Sequence, residues 1–369
     1  MGGDLSVYIH VPFCSRRCIY CDFVSIASSD PESYRRYFEA LWEEIELRAS
    51  QLEDHEIVSL YFGGGTPSHV PVSLLFETVN RIARYAHFHD KFEFTVEVNP
   101  EDVTEVLVQD YLSMGVNRVS VGLQSARDEV LRAIGRPHTI KDFLSVWKTL
   151  ERHFYDLNVD FIVGLPLEDG EVISENVRII EELRPPHVSV YVLEEKEFDN
   201  DLRRRLPTED ETIKHFLRFC NALTKAGYRR YEISNWYLAK PSLHNLRYWE
   251  NRDYLGLGLS AGGHIGWFRY VNVSDLALYQ TRLREGKCPH EYAQTNTEEK
   301  ELKETLFMCL RLMEGCDLEE LKEKFSPTLI ECYVERLVVD SQYFERCGNR
   351  LRLTPLGLLH SASALERLV

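Results

Sequence analysis

Apolar residues in the first half of the chain fall into short runs, separated by segments in which apolar positions recur every three or four residues. Residues 5–11, 57–62, 92–98, 118–122, 158–163 and 188–193 have the length and composition of strands. The segments between them predict helices over 31–49, 72–86, 104–114, 140–154 and 172–183. The first of these has Asp30 as N-cap and Pro31 at the first helical position, where a missing N–H does no harm. Gly115 is placed to stop the third. Repeated strand–helix units imply a parallel sheet with right-handed crossovers. Six of them predict an α/β fold, a partial (β/α)6 barrel rather than a closed one.

In parallel α/β folds ligands bind at the carboxyl ends of the strands, so the residues that follow each strand carry the functional signal. The first strand leads into a loop with three cysteines, and the second into Gly63-Gly64-Gly65-Thr66-Pro67. The third ends on Glu97 and Asn99, the fourth on Gln124, and the fifth carries Asp160. A purely structural barrel has no need of polar or glycine-rich residues at five successive strand ends, so this mouth is the expected site. Beyond it the chain predicts a helix near 208–225, a strand around 229–234 and a glycine-rich aromatic stretch to about residue 270. Residues 297–369 read as a small winged-helix-like unit. The expected division is therefore 1–195, 196–296 and 297–369.

With 369 residues and 44% hydrophobic content, the chain can fill one large core and a smaller one. It has no basic stretch leading into an apolar segment at its start and no run of eighteen apolar residues, which predicts a cytoplasmic protein with at most peripheral membrane contact. A formal charge of −16 argues against nucleic acid, whose binding depends on neutralising phosphates. The winged-helix-like unit shares this bias, with ten Lys plus Arg against fourteen Asp plus Glu, so a packing or lid role is expected of it. Nine cysteines in a reducing compartment are expected to stay reduced. Six of them (Cys220, Cys288, Cys309, Cys316, Cys332, Cys347) show no ligand spacing and are expected mostly as small buried residues.

Cys14-Ser15-Arg16-Arg17-Cys18-Ile19-Tyr20-Cys21 is different, because three thiols at i, i+4 and i+7 on one loop can face a single iron–sulfur cluster. A structural zinc site is the alternative, but it normally takes four ligands in paired CxxC spacing, and no second pair exists. CxxxCxxC followed by GGGTP after the next strand resembles the radical S-adenosylmethionine superfamily over residues 5 to about 195. The resemblance implies a [4Fe-4S] cluster on Cys14, Cys18 and Cys21. Its open iron would chelate S-adenosylmethionine, whose reductive cleavage gives a 5′-deoxyadenosyl radical. It further implies that Tyr8, Gly64 and Glu97 contact a first S-adenosylmethionine. Tyr20, Gly65, Thr66, Gln124, Arg136 and Asp160 match positions that contact a second one in the porphyrinogen-oxidising branch. Taken alone, Gly63–Gly65 also describe a tight turn, and Arg136 a surface loop residue.

Within the superfamily the chain resembles the oxygen-independent coproporphyrinogen III oxidases and the related HemW-type haem chaperones, through Val11-Pro12-Phe13-Cys14, Gly135-Arg136-Pro137-His138-Thr139 and the C-terminal unit. The oxidases carry a fourth cysteine two residues after the third, where this chain has Phe23, and an N-terminal extension, where only thirteen residues precede Cys14. His244-Asn245-Leu246-Arg247-Tyr248-Trp249 matches the chaperones' HNxxYW motif, whose histidine is associated with haem. An imidazole can ligate haem iron, and Tyr248 and Trp249 offer flat faces to a porphyrin. By itself, a histidine beside aromatics is more often a hydrogen-bonded structural residue.

The resemblance thus implies a chaperone that binds haem and hands it to recipient haemoproteins such as respiratory cytochromes, with the cluster and S-adenosylmethionine supporting handover or homodimer formation. The alternative is an oxidase that converts porphyrinogen propionates to vinyl groups. Replacing any one of the three loop cysteines with serine should cripple the cluster, because a neutral hydroxyl is a poor substitute for a thiolate. Iron and sulfide quantitation after anaerobic reconstitution checks this; a full four-iron complement in Cys18→Ser would refute the ligand set.

Overall fold

The computed structural model describes residues 3–194, 200–339 and 341–368. Its centre is six strands, β1 (Asp4–Val11), β2 (Glu56–Gly64), β3 (His87–Val98), β4 (Arg118–Gln124), β5 (Asp156–Val163) and β6 (His187–Val192). They are hydrogen-bonded in sequence order, every neighbouring pair parallel. The crossovers carry α1 (Pro31–Leu47), α2 (Val72–Ile82), α3 (Glu105–Met114), α4 (Ile140–Leu150) and α5 (Gly170–Leu183). Local chemistry sets their ends. The Asp30 carboxylate accepts from the amides of Glu32 and Ser33 at the start of α1, and Thr139 with Asp142 forms a capping box on α4. Gly115 stops α3 at φ 90°, a left-handed conformation that favours glycine.

The strands alternate, apart from register shifts at Leu5/Ser6, Ile57/Ser59 and Gly122/Gln124. Outward positions such as Val7, Leu60, Phe94, Val119, Val159 and Val188 are at most 1% exposed and pack in one hydrophobic cluster with the helices. Between them lie Ser6, Tyr8 and His10; Ser59 and Tyr61; Glu93, Thr95 and Glu97; Arg118 and Ser120; Asn158 and Asp160; His187 and Ser189. Period two places these on the opposite face, so the barrel interior is polar and its core is the layer between strands and helices.

The sheet does not end with these six strands. On the β6 edge, β7 (Asn235–Tyr237) adds antiparallel, followed by Arg229–Arg230. On the other edge β8 (Tyr254–Leu257) runs parallel to β1. Then β9 (Gly262–Ile265), β10 (Phe268–Asn272) and β11 (His290–Thr295) continue antiparallel. The partial barrel is therefore the middle of an open sheet that has twelve strands among the described residues. The strand expected over 229–234 shrinks to two residues, and the glycine-rich stretch is itself strand and turn. A Cβ on Gly256 would fall 1.9 Å from the Gly262 carbonyl oxygen, and one on Gly263 2.2 Å from the Tyr270 ring, so these two glycines serve close packing. The division expected at residue 195 lies outside the described residues.

A buried carboxylate links the strands added beside β1 to the barrel. Glu44 on α1 is fully buried and accepts from Gly258 N at 2.8 Å, Asn272 Nδ2 at 2.7 Å and Tyr279 Oη at 2.7 Å. Arg48, 3.5 Å away, balances its charge and lies over the Tyr270 ring at 3.9 Å. Tyr279 belongs to α8 (Leu276–Arg284), which follows α6 (Glu209–Lys225) and α7 (Leu243–Trp249).

The C-terminal part has its own hydrophobic cluster, with α9 (Glu298–Cys309), α10 (Pro327–Val338) and a three-stranded sheet ending in the hairpin Phe344–Cys347 and Arg350–Leu353. This is the expected winged-helix-like arrangement. The cysteine expectation needs correction. Cys309 and Cys316 form a disulfide, with Cα atoms 5.1 Å apart, and Cys288, Cys332 and Cys347 are exposed. The expectation rested on compartment, whereas pairing depends on backbone proximity, created here by the turn before Cys316 with Gly315 at φ 67°.

Glu44→Ala should destabilise the protein by about 3–5 kcal/mol, because it strands the Arg48 guanidinium in a buried site together with three unsatisfied donors. Denaturant unfolding of the full chain measures it. A loss below about 1 kcal/mol would mean that backbone pairing and packing hold the added strands without this carboxylate.

Candidate cofactor site

The cysteine loop leaves β1 at Val11 and is held by backbone contacts with the glycine loop after β2. Gly65 N donates to Val11 O and Thr66 N to Phe13 O, each at 2.8 Å. A Cβ on Gly65 would sit 2.7 Å from the Pro12 carbonyl carbon, so glycine is what lets the two loops touch. The Thr66 hydroxyl donates to Cys14 Sγ at 3.4 Å and accepts from Asn99 Nδ2 at 3.1 Å. Burial pushes the Cys14 thiol up to about 11, with the neighbouring thiols of Cys21 and Cys18 adding to the shift against the Thr66 hydrogen bond. None of the three cysteines is in a disulfide. Among the described residues, no three His, Cys, Asp or Glu side chains close on a single metal position.

His10 ties the far end of this loop to the barrel. Its Nε2 donates to Val24 O at 2.8 Å, which leaves Nδ1 to accept from Tyr8 Oη at 3.1 Å. Burial lowers the imidazole to about 4 and keeps it neutral. Beyond Tyr8 lies a cavity of about 470 Å³, walled by Tyr8, Tyr61, Gly64, Glu97, His244 and Tyr248, with Asp22–Val24 and Ser260–Gly262 at its sides. Glu97 accepts from Tyr61 Oη at 2.7 Å and from Gly64 N at 3.2 Å. Burial pushes its carboxyl up to about 7; the Tyr61 hydrogen bond works against this, and the Asp160 carboxylate adds to it.

His244 enters the cavity from α7, outside the five crossovers. Glu93 of β3 caps that helix, accepting from Ser242 Oγ and Leu243 N at 2.8 Å and from His244 N at 3.0 Å. The ring of His244 stacks on Tyr61 at 4.9 Å and meets the edge of Tyr248 at 5.0 Å. Nδ1 lies 2.9 Å from Ser59 Oγ, while Nε2 has no hydrogen-bond partner among the described residues, although the residue is only 2% exposed. Burial, with the Arg118 and Arg247 guanidiniums, lowers this imidazole to about 3.

The remaining expected residues form a second group outside this cavity. Arg136 is buried, neighbours Cys18 and donates to Gly122 O at 2.7 Å. Gln124, at φ 68°, lies against Gly122, and Tyr20 neighbours both Arg136 and Cys18. Asp160 is paired with Gly122 across the sheet and accepts from Ser120 Oγ at 2.9 Å and Asn158 Nδ2 at 2.8 Å. The surface-loop reading of Arg136 is thus excluded. Trp249 also departs from expectation: it does not line the cavity, and its ring packs under the Arg311 guanidinium at 4.5 Å. Phe23, where the oxidases carry their fourth cysteine, stands 61% exposed at the cavity rim.

The profile of the Radical SAM superfamily fits residues 8–180, and that of the HemN C-terminal domain fits 296–360. The haem chaperone HemW of Lactococcus lactis is 31% identical across 98% of this chain and 96% of its own length. The chain belongs to the HemW family of radical S-adenosylmethionine proteins. HemW of Escherichia coli is 29% identical, covering 98% of this chain and 97% of that one. Coproporphyrinogen III oxidase (HemN) from Escherichia coli superposes with a TM-score of 0.87, covering 99% of this chain and 89% of its own at 21% identity, which establishes the shared fold. Membership in the radical SAM superfamily implies a [4Fe-4S] cluster and S-adenosylmethionine. The donor chemistry fits them: three thiols share one loop, and a carboxylate, a backbone cradle and buried polar groups lie beside it.

The sequence reading missed Ser6, Ser59, Glu93, Arg118, Asn158 and His187, which sit deeper along the same inward faces. Their signal was the polar residue at every second position of strands that were read simply as apolar runs. Glu97 supplies a test of the site that needs no ligand. A folded-state value near 7 against about 4.5 unfolded means its contribution to stability is present below pH 4.5 and is lost as pH rises through 7. Glu97→Gln, which mimics the protonated acid, should match wild type near pH 4 and exceed it near pH 8, by at most about 3 kcal/mol. Parallel denaturant titrations at the two pH values check this; a gap that does not change with pH would show that Glu97 is ionised in the folded protein throughout.

Proposed function

We propose that this chain is a haem chaperone that holds haem iron through His244 and passes the haem to recipient haemoproteins such as respiratory cytochromes. The observation that carries the reading is the His244 Nε2, buried and partnerless among the described residues, on the wall of a cavity lined by Tyr8, Tyr61 and Tyr248. A buried polar atom without a partner has a cost, and a ligand that supplies the missing bond removes it. Neutral imidazole is the ligating form, and burial has already removed the competing proton. The aromatic rings offer a porphyrin flat apolar contact.

In this reading Cys14, Cys18 and Cys21 hold the cluster. Tyr8, Gly64 and Glu97 contact one S-adenosylmethionine, and Tyr20, Gly65, Thr66, Gln124, Arg136 and Asp160 serve a second position. When bound, the cluster supplies an electron and an open iron. The chain's own part is to keep Glu97 available to an amino or ribose group and to fix the cysteine loop through His10 and Thr66. Phe23 in place of a fourth cysteine and the curated relatives' names favour the chaperone over the oxidase. Cytoplasmic residence, a homodimer and the three-part division at 195 and 296 belong to the same proposal; among the described residues no helix is long and apolar enough to cross a membrane.

His244→Leu should weaken haem binding by roughly tenfold or more, over 1.4 kcal/mol, and change the Soret band while leaving iron and sulfide content intact. Trp249→Ala, whose ring packs on Arg311, should leave the haem spectrum unchanged. Haem titration with visible spectroscopy, run beside an anaerobic coproporphyrinogen III assay, decides. Wild-type spectra in His244→Leu, or turnover of coproporphyrinogen III, would overturn the reading.

A further inference from the structure

Two serines in the barrel strands lie behind His244 and have been given no role so far. Ser6 on β1 and Ser59 on β2 are paired across the parallel sheet, both are fully buried, and their side chains share the inward face with His244. Ser59 Oγ lies 2.7 Å from Ser6 Oγ and 2.9 Å from His244 Nδ1. A hydroxyl has one proton to give, so when Nδ1 carries the imidazole proton and donates to Ser59, Ser59 gives its own to Ser6. In that arrangement Nε2 keeps a lone pair toward the cavity.

The opposite tautomer is the costlier one. With the proton on Nε2, a buried N–H would have no acceptor among the described residues, and orphaned donors are rarer and less tolerated than under-used acceptors. Glu93 fixes the backbone of the same residue through its hold on Ser242, Leu243 and His244, and Tyr61 fixes the plane of the ring. The ring's position is therefore set before any ligand arrives, and the serine pair settles which nitrogen is open.

We propose that Ser6 and Ser59 are positioning residues, a two-hydroxyl relay that selects the Nδ1–H tautomer of His244 and so presents Nε2 as an electron-pair donor to a metal centre in the cavity. The relay rests on the haem reading for the identity of that centre, but the tautomer itself does not. Partners of the non-ligating ring nitrogen commonly change metal affinity by about 10–100-fold when removed.

Long-range nitrogen–proton correlation spectra of the full chain, labelled with 15N-histidine and free of haem, test the relay directly, with His244→Gln identifying the resonance. The expected pattern is a protonated Nδ1 and an unprotonated Nε2; a protonated Nε2 overturns the proposal. Haem titration adds a second arm. Ser59→Ala should lower haem affinity by about tenfold with the cluster intact, whereas an unchanged affinity, alongside a loss in His244→Leu, overturns the relay's role. If His244→Leu itself binds haem as wild type does, the haem reading falls, and the spectra still decide the tautomer.

Discussion

Everything at the centre of this molecule follows from one constraint: six parallel strands turn a polar side chain inward at every second position, and each must be satisfied by another. Asn158 shows how tightly this is solved. Its amide donates to Ser120 and Asp160, while its carbonyl accepts from His187 Nδ1 at 2.6 Å and Ser189 Oγ at 3.1 Å. His187 Nε2 in turn accepts from Tyr231 Oη at 3.0 Å. Partly satisfied networks of this kind are unfavourable in a low dielectric, so an unpaired atom on a cavity wall is a natural point of ligand contact. Around the cavity, His244 Nε2 is such an atom.

The same constraint explains how a residue far along the chain becomes part of the barrel. Glu93, on β3, is 150 residues from the Leu243 amide it receives, yet it supplies the N-terminal cap of α7. That contact places His244 over Tyr61, and Tyr61 reaches Glu97 through its hydroxyl. The group expected to bind haem and the group expected to bind S-adenosylmethionine thus share one wall. By linkage, ligands that compete for or stabilise the same arrangement of Tyr61 affect one another equally in both directions.

The glycine loop shows a different economy. Gly64 N–H is already given to Glu97, and the contact of Gly65 with Pro12 leaves no room for a side chain. Part of the GGGTP signature is therefore explained by the chain's contacts with itself. The loop clamps the cysteine loop against β1 and β2, and Thr66 reaches the Cys14 sulfur. A tight turn and a ligand cradle are not rival readings here, because the turn is what holds the cysteine loop in place.

The sequence by itself determined the order of strands and helices, the caps at Asp30 and Gly115, and the cysteine spacing, because these depend on residues within a turn or two of each other. It also contained the family motifs. Tertiary structure alone decided that the glycine-rich stretch extends the sheet and that Cys309 meets Cys316. It also turned Trp249 toward Arg311 and away from the cavity, and divided the site residues into a cavity group and an Arg136 group. These depend on which distant strands become neighbours, as with Ser6, Ser59 and His244, and no local pattern encodes that adjacency. A period-two polar face announces an interior to be filled, but only the closed register says which serine faces which histidine.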